Sequence, residues 1–166
     1  MSFDIAALNA MPAEDFIHAL GGIFEHSPWI PASVVDARPF ASIATLHAAM
    51  CGVLRQADEE DQLHLICAHP ELAGKAAFRA VLTDAPASGH LAAGRDQCNA
   101  EEYAVITTLN GEYRERFGFP FILAVRGHTR TSIIVAMQAR LQHSREVEIV
   151  ECLRQIERIA ALRLGT

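Results

Sequence analysis

The apolar residues of this chain recur every three or four positions along several stretches, and this spacing limits the fold more than any other feature. Side chains at such a spacing share one face of an α-helix and can be buried together. No stretch alternates apolar and polar residues in the way that indicates a half-buried β-strand. The clearest helical stripe consists of Tyr103, Ile106, Leu109, Tyr113 and Phe117. The sequence therefore predicts an all-α helical bundle with seven or more helices.

Residues that commonly cap helices mark where several of these helices should begin. Ser42 directly precedes an apolar stripe and is predicted to be an N-cap. We expect Asn99 to cap the helix with the clearest stripe, and Thr131 or Ser132 to cap the next one. In the last helix, the spacing predicts an inward face made of Val147, Val150, Leu153, Ile156 and Ala160.

A short segment near residues 119–125 interrupts the helical pattern. Gly118 and Pro120 are poorly suited to a helix interior. The apolar run around them is too short for an ordinary helix but suits a buried extended segment. We therefore predict an extended segment flanked by helices. Its backbone N–H and C=O groups would be available to a ligand if no sheet pairs them.

Length, charge and composition restrict the class of protein. With 166 residues, 51% of them apolar, the chain is predicted to form a single domain over residues 1–166. A net charge of −6 argues against a nucleic acid or an anionic membrane as the main partner. No apolar run is long enough to span a membrane, and the start of the chain lacks the features of a signal peptide. Four singly scattered cysteines suggest buried, reduced thiols, so we expect a cytoplasmic protein.

The sequence around His69 concentrates the unusual chemistry of the chain. A residue before proline is pushed away from helical dihedrals, and proline suits the first position of a new helix. We therefore expect one helix to end at Ala68 and another to begin at Pro70. His69 would then lie at the positive end of the second helix, which favours a neutral ring. Such a histidine can act as a general acid or base, or it can simply cap the turn, and this stretch alone leaves both readings open.

A metal site is not predicted. His64 and Cys67 are three residues apart and could share a helix face, but no second pair of ligands accompanies them. The sequence also carries no recognisable motif for an organic cofactor such as pyridoxal phosphate.

Three stretches of the chain carry a family resemblance. They are residues 24–29 (Phe-Glu-His-Ser-Pro-Trp), residues 68–75 (Ala-His-Pro-Glu-Leu-Ala-Gly-Lys) and residues 109–122, which end in Phe-Gly-Phe-Pro-Phe-Ile. Together they resemble the OHCU decarboxylases, which act on 2-oxo-4-hydroxy-4-carboxy-5-ureidoimidazoline in urate breakdown. The likeness spans nearly the whole chain, including its Ile-Glu-Arg-Ile-Ala-Ala-Leu-Arg-Leu ending.

The resemblance implies an all-helical, cofactor-free and commonly dimeric carboxy-lyase that forms (S)-allantoin. It implies that His69 is the catalytic histidine and that Pro70 is its neighbour in the pocket. It also implies that Arg163 points into the site. Backbone contacts to the substrate are expected from Phe121, Ile122, Leu123, Ala124 and Val125.

The loop after the histidine departs from the family pattern. Family enzymes usually carry a serine there, followed three residues later by a glutamate and a glutamine. Counted from His69, these positions fall on Pro86, Gly89 and His90. The carboxylate expected to work with the histidine is therefore absent, although His90 could take over polar contacts. The alternative function is a non-catalytic helical module that kept the scaffold and binds a ligand or a partner.

Overall fold

The structure is a computed structural model that describes residues 3–72 and 92–166, with the backbone alone described for residues 92–99. Within these ranges the chain forms eight α-helices and no β-strand, which confirms the all-α prediction. The helices are α1 (Ile5–Ala10), α2 (Ala13–Leu20), α3 (Trp29–Val34), α4 (Ile43–Gln56), α5 (Glu59–Ala68), α6 (Ala92–Phe117), α7 (Arg130–Arg140) and α8 (Arg145–Leu164), with a 3-10 turn at Val35–Ala37. None of the helices described here is long and apolar enough to cross a membrane.

Contacts between Cα atoms divide the chain into two compact units. The first contains Met1–His69 and Leu153–Thr166, and the second contains Pro70–Cys152. The assignment of residues 1–166 to a single domain stays a prediction. Each unit has its own apolar core.

The core of the first unit is built on α2, α3 and α4. Phe16 and Leu20 of α2 are fully buried, and so are Leu46, Met50 and Leu54 of α4. Their positions follow the predicted helical spacing. Burial of each such side chain stabilises the folded state by about 1.5–3 kcal/mol. The Ser42 side chain accepts a hydrogen bond from the Thr45 N–H at 3.1 Å, which confirms the predicted N-cap of α4.

The core of the second unit is an aromatic cluster on α6 and the segment that follows it. The ring of Tyr113 lies 4.6 Å from that of Phe117, 6.0 Å from that of Phe119 and 5.2 Å from that of Phe121. Ile106, Leu109, Tyr113 and Phe117 are buried, as the stripe predicted, whereas Tyr103 is only partly buried. Offset and edge-to-face pairs of this kind add about 0.5–1.5 kcal/mol each beyond the area that they bury.

Two predicted helix starts are wrong. Helix α6 begins at Ala92, so Asn99 lies inside the helix and does not cap it. Nothing between these residues stops a helix, because Gly94 costs only about 1 kcal/mol relative to alanine. Helix α7 is capped by Thr129, not by Thr131 or Ser132. Thr129 and Ser132 instead form a capping box, in which each side chain accepts a hydrogen bond from the other residue's N–H.

The predicted inward face of α8 is correct from Leu153 onwards and wrong before it. Val147 and Val150 are 50% and 59% exposed. The first turns of α8 bury Glu148, Ile149 and Cys152 instead. The charged residue Glu148 thus occupies an inward position, where polar side chains of the second unit pair with its carboxylate.

The described cysteines differ in their surroundings. Cys51 and Cys152 are buried free thiols, whereas Cys67 is exposed near the end of α5, contrary to the expectation of buried thiols. Burial raises the pKa of Cys51 to about 12 and also raises the pKa of Cys152. The two buried thiols are therefore poor nucleophiles.

Candidate active site

His69 lies directly after α5 and is its C-terminal cap. Its N–H donates to the Ile66 carbonyl at 3.2 Å, and its backbone is extended, with φ −69° and ψ 134°, as expected for a residue before proline. The residue is 8% exposed. Its Nδ1 atom is buried and has no hydrogen-bond partner among the described residues. A buried ring nitrogen without a partner is available to a ligand.

The helix that was predicted to begin at Pro70 does not begin there. Pro70 and Glu71 have no regular secondary structure and Leu72 lies in a turn. His69 therefore does not lie at the first turn of a helix, so a helix dipole at Pro70 does not explain a neutral ring. Pro70 itself is exposed.

The neutral form of His69 is favoured for a different reason. Burial removes water from the imidazolium and lowers the pKa of His69 below its ordinary value. The negative charge of Glu25 opposes this change, and the positive charge of Arg163 adds to it. The prediction of a neutral ring thus agrees with the direction of the pKa, and desolvation is the cause.

Arg163 lies in the last turn of α8 and is held by the bend between α2 and α3. Its Nη1 donates to the carbonyls of Gly22 and Ile23 at 3.1 and 3.0 Å. Its Nη2 forms an ion pair with the Glu25 carboxylate. Both charges act on His69, and both residues belong to the first unit. The resemblance pointed to Arg163, whereas nothing local in the sequence indicates that Glu25 pairs with it.

The bend that carries Glu25 is unusual. His26, the next residue, has φ +47°, a left-handed conformation that is uncommon outside glycine, although histidine adopts it more often than most residues, as asparagine and aspartate do. The Ser27 hydroxyl donates to the Glu25 carbonyl at 2.9 Å. This turn places the Glu25 side chain on Arg163 instead of in solvent.

In the second unit, a non-helical segment lies where the extended segment was predicted. Residues 120–125 have no regular secondary structure, with Phe121, Ile122 and Leu123 buried and Ala124 and Val125 partly buried. The prediction that the backbone groups are free is wrong for at least two of them. The Ile122 carbonyl accepts from Arg140 Nη1 at 2.6 Å, and the Val125 carbonyl accepts from the His128 N–H at 2.9 Å.

Arg140 belongs to a buried polar cluster that supports this segment. Its Nε donates to Glu148 Oε2 at 2.9 Å, and its guanidinium lies 4.3 Å from the centre of the Phe121 ring. The Tyr113 hydroxyl also donates to Glu148 Oε2, and His143 Nδ1 lies 2.8 Å from Glu148 Oε1. Both oxygens of the fully buried Glu148 carboxylate are therefore paired, which is the condition for burying it.

The cluster also sets protonation states. Burial raises the pKa of Tyr113, so its hydroxyl stays a donor. Burial works against the charge of Arg140, but the hydrogen bond and the charge of Glu148 outweigh it and raise the pKa of Arg140. This cluster was not predicted, because charged residues such as Arg140 and Glu148 usually lie at the surface unless partners pair them in the interior.

The remaining predicted positions cannot be placed. Pro86, Gly89 and His90 lie outside the described residues. Among the residues that are described, no group of three or more histidine, cysteine, aspartate or glutamate side chains could hold a metal ion.

Two solved structures are similar to this chain. The fold matches a crystal structure of (S)-allantoin synthase with a TM-score of 0.77 and 31% identity, over 98% of this chain and 53% of that one. It also matches a crystal structure of OHCU decarboxylase in the presence of (S)-allantoin, with a TM-score of 0.67 over 93% of this chain and 96% of that one. At 18% identity, this second likeness shows the fold alone.

The OHCU decarboxylase family profile matches residues 9–165, and the chain belongs to this family. It is 38% identical to the 2-oxo-4-hydroxy-4-carboxy-5-ureidoimidazoline decarboxylase of Haloferax volcanii, over 95% of this chain and 92% of that protein. It is 41% identical to the uric acid degradation bifunctional protein PucL of Bacillus subtilis, over 98% of this chain. The chain spans 32% of the length of that bifunctional protein.

Proposed function

We propose that this chain is a carboxy-lyase that converts 2-oxo-4-hydroxy-4-carboxy-5-ureidoimidazoline to (S)-allantoin in urate breakdown. Family membership supports the reaction. The observation that carries the proposal is His69, a buried histidine whose neutral form is favoured and whose Nδ1 has no partner among the described residues. A neutral imidazole held in this way can both accept and return a proton.

The substrate itself can supply the electron sink. The bond between C4 and its carboxylate breaks, CO2 leaves, and the electron pair moves into the C4–C5 bond while the adjoining ring nitrogen takes a proton from solvent. His69 then takes the proton of the 4-hydroxyl group and returns it to C5, which leaves a carbonyl at C4. Delivery of that proton to one face of C5 gives one enantiomer. We propose that no cofactor takes part.

The other residues would bind and orient the substrate. Arg163 would supply positive charge for an anionic substrate, and the fixed carbonyl and carboxylate partners of its guanidinium hold it in one place. Pro70 would form the pocket wall next to His69. Backbone groups of residues 121–125 that are not already paired would contact the substrate, and the positions of Pro86, Gly89 and His90 would complete the site.

The setting of the enzyme is also proposed. Family resemblance suggests a homodimer and a small-molecule substrate, and the composition suggests the cytoplasm. The net charge of −6 supports the view that neither nucleic acid nor an anionic membrane is a partner.

The test is to add freshly generated substrate and follow the optical activity of the allantoin that forms. We expect the chain to accelerate the reaction and to produce an excess of the S enantiomer. Allantoin that forms at the uncatalysed rate and remains racemic would contradict the proposal.

A non-catalytic binding module is the second candidate, and Gly89 is the observation that favours it. Glycine offers no carboxylate where the family pattern has a glutamate. The optical-activity assay distinguishes the carboxy-lyase from the non-catalytic module when binding of allantoin is measured in parallel. Binding without turnover would favour the module.

A further inference from the structure

Asn110 is a buried side chain whose hydrogen-bonding groups are unused. It lies on α6 and is 4% exposed. Neither its Oδ1 nor its Nδ2 has a partner within the described part of the chain. A carboxamide has one acceptor and two donor positions, and burying all of them unpaired opposes folding.

Asn9 shows how the same side chain behaves when its role is structural. Its Nδ2 donates to the Phe40 carbonyl at 2.9 Å, and its Oδ1 accepts from the Phe40 N–H at 2.8 Å. Both groups of the Asn9 amide are thus paired with backbone. Asn110 has no such arrangement, so its burial calls for another explanation.

A ligand site without its ligand is expected to contain a buried polar group of this kind, because the ligand completes its hydrogen bonds.

The position of Asn110 connects it with the proposed substrate-binding segment. Asn110 precedes Tyr113 by three residues, so the two side chains lie on the same face of α6. The ring of Tyr113 packs edge-on against the ring of Phe121 at 5.2 Å. This face of α6 is therefore the one that meets the extended segment of the second unit.

We propose that Asn110 is a substrate-binding residue that pairs with an amide-like edge of the ligand, one that presents N–H and C=O side by side. A carboxamide offers a donor and an acceptor in one plane and forms two parallel hydrogen bonds with such an edge. The ureido group and the ring of allantoin both carry edges of this type. The inference rests on the proposed function and adds a contact that fixes how the substrate is held.

The first experiment compares Asn110→Leu with Asn9→Leu, using racemic allantoin as the probe in calorimetric titrations. Leucine removes the unpaired amide of Asn110, so Asn110→Leu should keep or raise the Tm while the Kd for allantoin rises about tenfold or more. Asn9→Leu leaves the Phe40 backbone unpaired and should lower the Tm without changing the Kd. Asn110→Ala, which removes the amide without adding bulk, should weaken binding as well.

Kinetics give a second readout that a structural role would not move. Loss of a contact that is present both before and in the transition state raises KM and leaves kcat nearly unchanged. We expect this pattern for Asn110→Leu. A variant with unchanged Kd and unchanged KM would overturn the inference, and so would a Tm loss equal to that of Asn9→Leu with wild-type binding.

The wild-type protein separates failure of this inference from failure of the proposed function. If the wild type neither turns over the substrate nor binds allantoin, the proposed function fails. If the wild type does both and Asn110→Leu behaves identically, the function stands and Asn110 is not part of it.

Discussion

Glu25 and Arg163 form an ion pair, and their charges act on His69 in opposite directions. Glu25 raises the pKa of His69, whereas Arg163 lowers it. The pair therefore limits the electrostatic effect of either partner, and burial remains the largest influence on the ring. This arrangement leads to the first prediction.

Removing one member of the pair should change the pKa of His69 in a direction set by the partner that remains. Glu25→Gln leaves the cation unbalanced and should lower the pKa. Arg163→Gln leaves the carboxylate unbalanced and should raise it. Titration of the ring Cε1–H signal by NMR measures both changes. Shifts of the same sign in the two variants would contradict the opposing roles.

His69 should also make folding stability depend on pH. Its pKa is lower in the folded state than the ordinary value of 6.5, so the unfolded state binds more protons between the two values. The stability contributed by neutral His69 is therefore fully present above pH 6.5, the ordinary pKa. It is lost as the pH falls through the pKa of His69 in the folded state.

Denaturant unfolding measured from about pH 8 down to about pH 4 should show this loss of stability as a difference between the wild type and His69→Gln. The variant should gain stability relative to the wild type as the pH falls. Parallel curves would mean that the histidine has the same pKa in both states.

Replacement of His69 should nearly abolish turnover. General acid–base catalysis contributes about a hundredfold or more, so His69→Gln should lose at least that in kcat while it remains folded. His64→Gln is the matched control, since His64 is an exposed histidine of the same helix. Equal rates for the two variants would leave His69 as a helix cap only.

Arg140 should be essential for the stability of the second unit. Arg140→Met leaves the buried Glu148 without its arginine partner and the Ile122 carbonyl without its donor, which should cost about 3–5 kcal/mol in the free energy of unfolding. Arg114→Met is the control, because Arg114 pairs with Glu71 at 3.1 Å and its side chain is 56% exposed. That change should cost at most about 1 kcal/mol. If chemical denaturation showed similar losses of unfolding free energy for Arg140→Met and Arg114→Met, the buried arginine would be no more important for stability than the exposed one.

Gly89→Glu should raise turnover if the family carboxylate is what this chain lacks. A well-placed acid–base partner is expected to add about tenfold or more. The variant should be measured alone and together with His90→Gln, with Tm recorded for each. A well-folded double variant that is no faster than the wild type would favour the non-catalytic module.

The helical core could be predicted from the sequence because its signals are local. Leu46, Met50 and Leu54 repeat at helical spacing, and Ser42 is a residue type that caps helices by itself. The extended segment was also predictable, since Gly118 and Pro120 disfavour a helix wherever they occur.

The errors arose where distant partners decide the outcome. Val147 and Val150 are as apolar as the residues that are buried, so their spacing could not exclude a face rotated towards Glu148. Burial of Glu148 depends on Arg140, Tyr113 and His143, which precede it by 5 to 35 residues. Glu25 was missed for the same reason, because its partner Arg163 lies 138 residues away.

The exposed thiol of Cys67 is a site in the first unit where a chemical label can be attached close to His69. It lies two residues before His69, on the last turn of α5, while Cys51 and Cys152 are buried with raised pKa values. Of these three thiols, Cys67 is therefore the one that a maleimide or a fluorine-bearing alkylating reagent would reach. A reporter attached there would sit at the helix end that carries the histidine and would register ligand arrival without the ring itself being altered.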